Sequence, residues 1–137
     1  MQKMNKDIAI FIFTYKEPIL LRKSIESISN QNLQNFDLFI IDNDKEKTAE
    51  RVVRFLNYNS NIQLKYYNEF NNTINNPFKL IKDKYKYLAA IDDNKIADIY
   101  WLQNLYTTII QNKANIVFGS MNSKVNNHGN NFIATNV

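Results

Sequence analysis

The stretch IAIFIFTYKEPILLRKSIESIS, residues 8–29, decides the fold expected for this chain. Its first part, Ile8–Thr14, is almost continuously apolar and rich in β-branched and aromatic side chains, which is typical of a strand covered on both faces in a parallel sheet. Pro18 then supplies a helix start, and apolar side chains recur at helical spacing up to Ser29. A buried strand followed at once by a helix predicts an α/β domain.

The same alternation continues along the chain. We expect further strands over 36–41, 62–67, 87–91 and 115–118, helices over 48–58 and 99–110, and a short helical segment after Pro77. This order predicts a mostly parallel, Rossmann-like sheet with right-handed crossovers and helices on both faces. Residues 1–120 would form this domain, followed by an Asn-rich C-terminal tail, 121–137, for which we expect no regular structure.

Composition indicates a single folded module. The chain has 137 residues, 45% of them hydrophobic, which suffices for one core and is too short for two ordinary domains. It contains no cysteine, so disulfides, thiolate metal sites and cysteine nucleophiles are excluded, in keeping with a cytoplasmic location. No apolar run approaches the roughly 20 residues that span a bilayer, and we therefore expect a soluble protein.

The charge pattern limits the kinds of partner. A formal net charge of +4 favours anionic ligands, but the lysines look scattered along the sequence, so we expect no nucleic-acid binding and at most peripheral membrane association. The chain has no phosphate-cradling glycine loop. Its only histidine, His128, lies in the Asn-rich tail, which argues against a serine–histidine hydrolase.

Three polar clusters follow predicted strands: residues 14–17, 42–44 and 92–94. Because ligands bind beyond the carboxyl ends of the strands in such sheets, we expect the clusters to converge on one cleft. Asp92 and Asp93 offer hard oxygen ligands suited to Mg²⁺ or Mn²⁺, although a solvated acidic turn is an equally good interpretation from the sequence. Asp42 is better explained by a turn and a helix cap than by a ligand contact when it is considered alone.

Taken in order, IAIFIFTYKEPILLRKSIESISNQNLQNFDLFIIDND (8–44) and KYLAAIDDNKIADIYWLQNL (86–105) resemble the nucleotide-binding half of family 2 glycosyltransferases, which have the GT-A fold. The resemblance covers 7–120. It implies a transferase that moves a sugar from a nucleoside diphosphate, most simply a UDP-sugar, to an acceptor such as a cell-envelope glycan or lipid.

The resemblance also implies roles for individual residues. Thr14, Tyr15 and Glu17 would border the nucleotide pocket, and Asp42 would contact the base. Asp92 and Asp93 would hold the ribose and a Mn²⁺ or Mg²⁺ ion that neutralises the departing diphosphate.

The chain departs from the family pattern in three ways, the first being that the loop before the acidic motif, 68–78, lacks the glycines common there. Asn94 stands where the acidic motif usually has its metal-binding carboxylate, and an amide oxygen is a weaker ligand. The sequence also stops after the fifth predicted strand, before the acceptor-binding half and its general base, so no catalytic residue is assigned.

Two alternatives to a complete enzyme follow from these departures. A separate chain could supply the missing half, or the chain is a non-catalytic remnant or interaction module that keeps the fold. A phosphoacceptor receiver domain is disfavoured because it needs an acidic pair after the first strand, where Thr14 and Tyr15 stand.

Overall fold

The computed structural model describes residues 5–60, 62–70 and 76–119, together with the backbone of 132–136. In chain order the elements are β1 (Ile8–Thr14), α1 (Pro18–Ser29), β2 (Phe36–Asp42), α2 (Thr48–Asn59), β3 (Leu64–Asn68), a 3₁₀ helix (Pro77–Leu80), β4 (Tyr87–Asp92), α3 (Trp101–Gln111), β5 (Ile116–Gly119) and β6 (Phe132–Asn136). Within these described ranges no helix is both long enough and apolar enough to cross a membrane. His128 lies outside the described residues.

The strands form one six-stranded sheet in the order β3-β2-β1-β4-β6-β5. The first four run parallel, with Ile8 of β1 opposite Phe36 of β2 and Tyr87 of β4. β6 is antiparallel to both of its neighbours, β4 and β5. The predicted α/β class with a mostly parallel sheet is therefore confirmed.

β6 corrects the expectation that the Asn-rich tail has no regular structure. Residues 132–136 form a strand between β4 and β5, where Ala134 lies opposite both Ala89 and Val117. Antiparallel pairing on both sides supplies partners for the backbone of a short segment with little sequence signal of its own. The remaining tail residues, 121–131 and 137, lie outside the described residues.

One face of the sheet, called the helix face below, carries all three α-helices. Alternate strand residues such as Ile10, Ile40 and Ala89 point to this face because successive side chains in a strand point to opposite sides. Apolar stripes of the helices complete the core, among them Leu21 and Ile25 of α1.

The opposite face, called the second face, carries a smaller core of Phe11, Phe39, Ile41 and their neighbours. Among the described residues it is covered by the 3₁₀ helix and the turn after it, whose Ile81 is fully buried. The expectation of helices on both faces therefore holds only in this limited sense, because every α-helix described lies on the helix face. The 3₁₀ helix lays Phe78 against Phe11, with ring centroids 5.7 Å apart.

Candidate functional site

The carboxyl ends of β1, β2 and β4 are joined by backbone hydrogen bonds just beyond the sheet. The Asn43 N–H donates to the carbonyl oxygen of Thr14 (3.0 Å), and the Asp93 N–H donates to that of Phe13 (3.1 Å). Because both bonds extend the parallel ladders by one step, the segments that follow the three strands emerge side by side. The structure thus brings the three polar clusters to one edge of the sheet.

A cleft of about 370 Å³ opens between these segments. Its lining combines apolar side chains with aromatic, amide and carboxylate groups from the ends of β1, β2, β3 and β4. The lining residues are Phe13, Thr14, Tyr15, Ile41, Asn43, Glu69, Asp92, Asp93 and Asn94. We call it the strand-end cleft.

Asp93 ties β4 to the turn after β1. Its Oδ2 accepts a hydrogen bond from the Thr14 hydroxyl (2.8 Å) and another from the Tyr15 N–H (3.2 Å). Asp93 is only 9% exposed, so its charge depends on these donors for compensation. The side chain therefore holds the Thr14–Tyr15 turn in place, and its Oδ1 has no hydrogen bond among the described residues.

Asp92 is exposed in the same cleft, although it is adjacent to Asp93 in sequence. Its carbonyl oxygen is anchored by the Lys95 N–H (3.2 Å) and, at 3.5 Å, by the Ser24 hydroxyl of α1. The carboxylate itself makes no hydrogen bond or ion pair within the described part of the chain. Asp92 is therefore the free acidic group of the pair.

The donor set suits a hard divalent cation that is shared with a phosphate ligand. Mg²⁺ is usually held by one or two carboxylates together with phosphate oxygens and water, and Asp92 and Asp93 provide two carboxylates. Over the described ranges no three or more His, Cys, Asp or Glu side chains are grouped to hold a metal by themselves. The fit is therefore to a metal site that the ligand completes.

Tyr15 stands at the rim of the cleft with 58% of its surface exposed. The next residue, Lys16, has φ = 53°, in the left-handed region that only a few per cent of non-glycine residues adopt. Its Nζ lies 5.5 Å from the centroid of the Tyr15 ring, a cation–π arrangement that favours this ring position. The turn thus presents an aromatic face to solvent beside the acidic pair.

Asp42, predicted as a base contact, is fully buried and does not line the cleft. Its Oδ2 accepts a hydrogen bond from the Tyr66 hydroxyl (2.6 Å), and its Oδ1 accepts one from the Asp44 N–H (3.0 Å). Burial raises the pKa of Tyr66, and the hydrogen bond to Asp42 raises that pKa further, so the phenol stays a donor. Both oxygens of Asp42 are therefore engaged in holding the end of β2 and the turn after it.

Asp44 serves the amino end of α2. Its carboxylate accepts hydrogen bonds from the Thr48 hydroxyl, from the Thr48 N–H (3.3 Å) and from the Glu46 N–H (3.1 Å). The Thr48 hydroxyl is the largest cause of a lowered pKa at Asp44, which persists despite the opposing effect of burial. The turn-and-cap interpretation of 42–44 thus agrees with the contacts of Asp44.

Several cleft residues were assigned no role from the sequence, and two assigned residues, Asp42 and Glu17, lie outside the lining. Asn43 is exposed between the two buried aspartates and lines the cleft, as does Glu69 beyond β3. Glu17 is exposed at the start of α1 and is not among the lining residues, so its role stays a prediction. The signal for Asn43 was its place in the polar cluster 42–44 after β2, whereas Glu69 follows β3, for which no cluster was assigned.

Comparison with known proteins places this geometry in a family. The family model described as "Glycosyl transferase family 2" matches residues 9–136. No curated protein matches the chain in sequence.

Solved structures resemble the fold at low sequence identity. The mannosyltransferase PcManGT of Pyrobaculum calidifontis, in complex with GDP-Man and Mn²⁺, matches with a TM-score of 0.72 and 13% identity over 94% of this chain and 44% of its own. S. aureus TarS 1-349, in complex with UDP-GlcNAc, matches with a TM-score of 0.66 and 13% identity over 89% of this chain and 36% of its own.

A 4-diphosphocytidyl-2C-methyl-D-erythritol synthase of Anaerococcus prevotii also matches, with a TM-score of 0.67 and 12% identity over 97% of this chain and 72% of its own. The chain thus spans less than half the length of the two glycosyltransferase structures, and the third neighbour shows that the fold alone does not decide the reaction. The family model, which covers most of the sequence, does decide the family. The chain belongs to glycosyl transferase family 2.

Proposed function

We propose that this chain is the nucleotide-sugar-binding domain of a glycosyltransferase that uses a UDP-sugar with Mn²⁺ or Mg²⁺. The observation that carries the proposal is the strand-end cleft, where an exposed aromatic ring, an exposed amide and a free carboxylate from three strand ends line one space. These are the groups needed to bind a base, a sugar and a metal-bound diphosphate, respectively. The family and its nucleotide-sugar-binding structural neighbours support the same class of ligand.

The base would be held by Tyr15 and Asn43. The exposed Tyr15 ring offers a stacking surface, which is tolerant of base identity because every base has a π-face. The Asn43 side chain both donates and accepts hydrogen bonds, so it can pair with the N3–H and a carbonyl of uracil together. Asn43 takes the role that the sequence assigned to Asp42.

The diphosphate would lie near Asp92. Glu69, Asp92 and Asp93 give the cleft an acidic lining, which would repel a diphosphate by itself. A bound divalent cation supplies charge neutralisation on the leaving diphosphate. Asp92 would be its main protein ligand, and Asp93 would add Oδ1 while its Oδ2 keeps the Tyr15 turn in place.

The acceptor and the general base would come from outside the described residues. The chain spans less than half of the glycosyltransferase structures it resembles, so a further segment or a separate chain would supply them. We propose a cytoplasmic site that draws on the soluble pool of UDP-sugar, with a cell-envelope glycan or lipid as acceptor.

A thermal-shift titration tests donor binding. We would titrate the protein with UDP, UDP-GlcNAc, GDP and GDP-Man, each with Mn²⁺ and each with EDTA. A ligand at a hundredfold excess over its Kd should stabilise the fold by about 2.7 kcal/mol. We expect this stabilisation with a uridine nucleotide and Mn²⁺, and its loss in EDTA.

The alternative is a remnant that keeps the fold without binding a donor. It is favoured by one observation, that Asn94 stands where the family's acidic motif usually has its metal-binding carboxylate. Absence of stabilisation by all four nucleotides in Mn²⁺ would establish this alternative and overturn the proposal.

A further inference from the structure

The positive charge of the chain is concentrated on the segment that covers the second face. Residues 77–86 contain four lysines and one aspartate, so +3 of the net formal charge of +4 lies in ten residues. The impression of scattered lysines in the sequence is therefore misleading. We define the basic patch as Lys6, Phe78, Lys79, Lys82 and Lys84.

The segment has one buried side and one exposed side. Pro77 and Ile81 are buried against the second face, while Phe78, Lys79 and Lys82 are exposed. Consecutive turns hold this arrangement, since the N–H groups of Ile81 and Lys82 both donate to the Phe78 carbonyl at 3.2 Å. The lysines thus lie on the outer surface of a packed layer.

Most of these charges are not neutralised by the protein. Lys65 pairs with Asp37 at 3.4 Å and Lys86 with Asp7 at 3.6 Å, which places both outside the patch. Lys79, Lys82 and Lys84 have no ion pair within the described ranges. Their charge remains available for an external anion.

The patch continues onto the neighbouring chain segment through Lys6. Lys6 and Lys84 line a cavity of about 440 Å³, whose other side chains are those of Asn5, Asp37, Lys65, Asp83 and Tyr85. The Lys6 ammonium donates to the Gln34 carbonyl (2.9 Å) and meets no carboxylate there. Asp83 is the one unpaired acid beside the lysines, so the patch keeps an excess of positive charge.

Phe78 adds an apolar element to the patch. Its ring packs on Phe11 but remains 48% exposed, beside Lys79. An exposed aromatic ring flanked by lysines suits a membrane interface, where the ring enters the headgroup region and the ammonium groups meet lipid phosphates. The cations of the patch are all lysines, whereas arginine is the usual choice for recognising nucleic-acid phosphates.

We propose that the basic patch binds the surface of a bilayer that contains anionic phospholipids. The proposal does not rest on the nucleotide site, because none of the patch residues lines the strand-end cleft. Each lysine near an anionic surface strengthens binding about fivefold, so three or four together give an effect on the order of a hundredfold. Binding should weaken with salt, since exposed charges are screened within about 8 Å at physiological ionic strength.

Vesicle co-sedimentation tests the proposal on the whole chain without nucleotide. We would compare vesicles of pure phosphatidylcholine with vesicles of phosphatidylcholine and phosphatidylglycerol at 7:3, in low and high salt. We expect binding only to the anionic vesicles at low salt, and a loss on the order of a hundredfold in the K79Q/K82Q/K84Q variant. Phe78→Ser should weaken binding to the anionic vesicles at low salt.

A matched control separates the patch from net charge. The variant K23Q/K45Q/K113Q removes three exposed lysines elsewhere and should bind anionic vesicles nearly as the wild type does. Equal losses in both triple variants, or no binding of the wild type, would overturn the proposal. It would also be overturned if the patch variant lost binding to a single-stranded oligonucleotide while vesicle binding was unchanged.

Discussion

Residues 42–44 and residues 92–94 each lie at the carboxyl end of a strand of the same sheet. Both segments begin with Asp, and both lie at the same edge of the sheet. Their environments are opposite. Asp42 and Asp44 are 0% and 2% exposed, and their carboxylates accept hydrogen bonds from Tyr66, Thr48 and backbone N–H groups. Asp92 is exposed, and its carboxylate has no partner among the described residues.

The register of the strands explains the difference. Asp42 lies on the helix face with Ile40, where β3 brings Tyr66 opposite Ile40 and Asn68 opposite Asp42. Asp92 follows Leu88 and Ala90 on the second face, which carries no α-helix among the described residues. Among the described residues, an aspartate at a strand end is thus buried and hydrogen-bonded on the helix face and left without a partner on the second face.

Removing the buried carboxylate of Asp42 should have a large effect on the stability of the fold. Asp42→Ala should destabilise the fold by about 3 kcal/mol, because it removes a buried hydrogen-bonded carboxylate and leaves the Tyr66 hydroxyl without an acceptor. Urea unfolding would measure the loss. Asp92→Ala is the matched control and should change stability by less than about 0.5 kcal/mol. Similar losses in both variants would show that the two clusters do not differ as described.

Removing the hydroxyl group that donates to Asp42 is a second test of the same buried cluster. Tyr66→Phe keeps the ring but removes a hydrogen bond to a buried charge, and should cost about 2 kcal/mol in urea unfolding. Tyr87→Phe is the control, since the Tyr87 hydroxyl makes no hydrogen bond within the described part of the chain. In an Asp42→Ala background, Tyr66→Phe should cost much less. Additive losses would contradict a direct coupling.

Ligand binding, unlike stability, should depend on Asp92. Asp92→Ala should weaken Mn²⁺-dependent binding of the uridine nucleotide about tenfold, or 1.4 kcal/mol, because it removes the free carboxylate of the cleft. Isothermal titration calorimetry with and without Mn²⁺ would measure this. Glu46→Ala removes an exposed acid outside the cleft and should bind as the wild type does. Unchanged affinity in Asp92→Ala would mean that the pair is only a turn.

The smallest predicted effect is on the pH dependence of stability. In the folded protein the pKa of the Asp44 carboxyl lies below its ordinary value of 3.8, chiefly because the Thr48 hydroxyl donates a hydrogen bond to it. A lowered folded pKa contributes stability that is complete above the unfolded value and is lost as pH falls through the folded value. Asp44→Asn should therefore be less stable than the wild type at pH 6, and the difference should shrink below about pH 4. Urea midpoints at pH 6, 4 and 3, with Glu46→Gln as control, would show it. A constant difference would contradict the assignment.

The sequence predicted the fold well wherever one strong local signal was present. The apolar run Ile8–Thr14 and the proline at the start of α1 gave those two elements with correct bounds. β6 was missed because its strand pairing is supplied by distant segments, β4 and β5, and its own five residues have no marked apolar pattern. Tertiary pairing, not local propensity, forms this strand.

The sequence predicted where the site lies in the sheet, but it did not predict which residues line the cleft. The convergence of strand ends follows from parallel topology, which the alternation of elements already indicated. The identity of the lining residues depends on which face of the sheet stays free of helices. Asn43 belonged to a predicted cluster but was assigned no role, Glu69 was not foreseen, and Asp42 lies buried outside the cleft lining.

The position of β6 also determines when β5 can pair during synthesis on the ribosome. β5 pairs with β6 and with no other strand described, so its backbone waits for partners until 132–136 have left the exit tunnel. At translation speeds of 5–20 residues per second, this leaves a nascent edge unpaired for about a second. Ile116 and Phe118 are 52% and 56% exposed even in the complete fold, so the unpaired edge also presents apolar side chains.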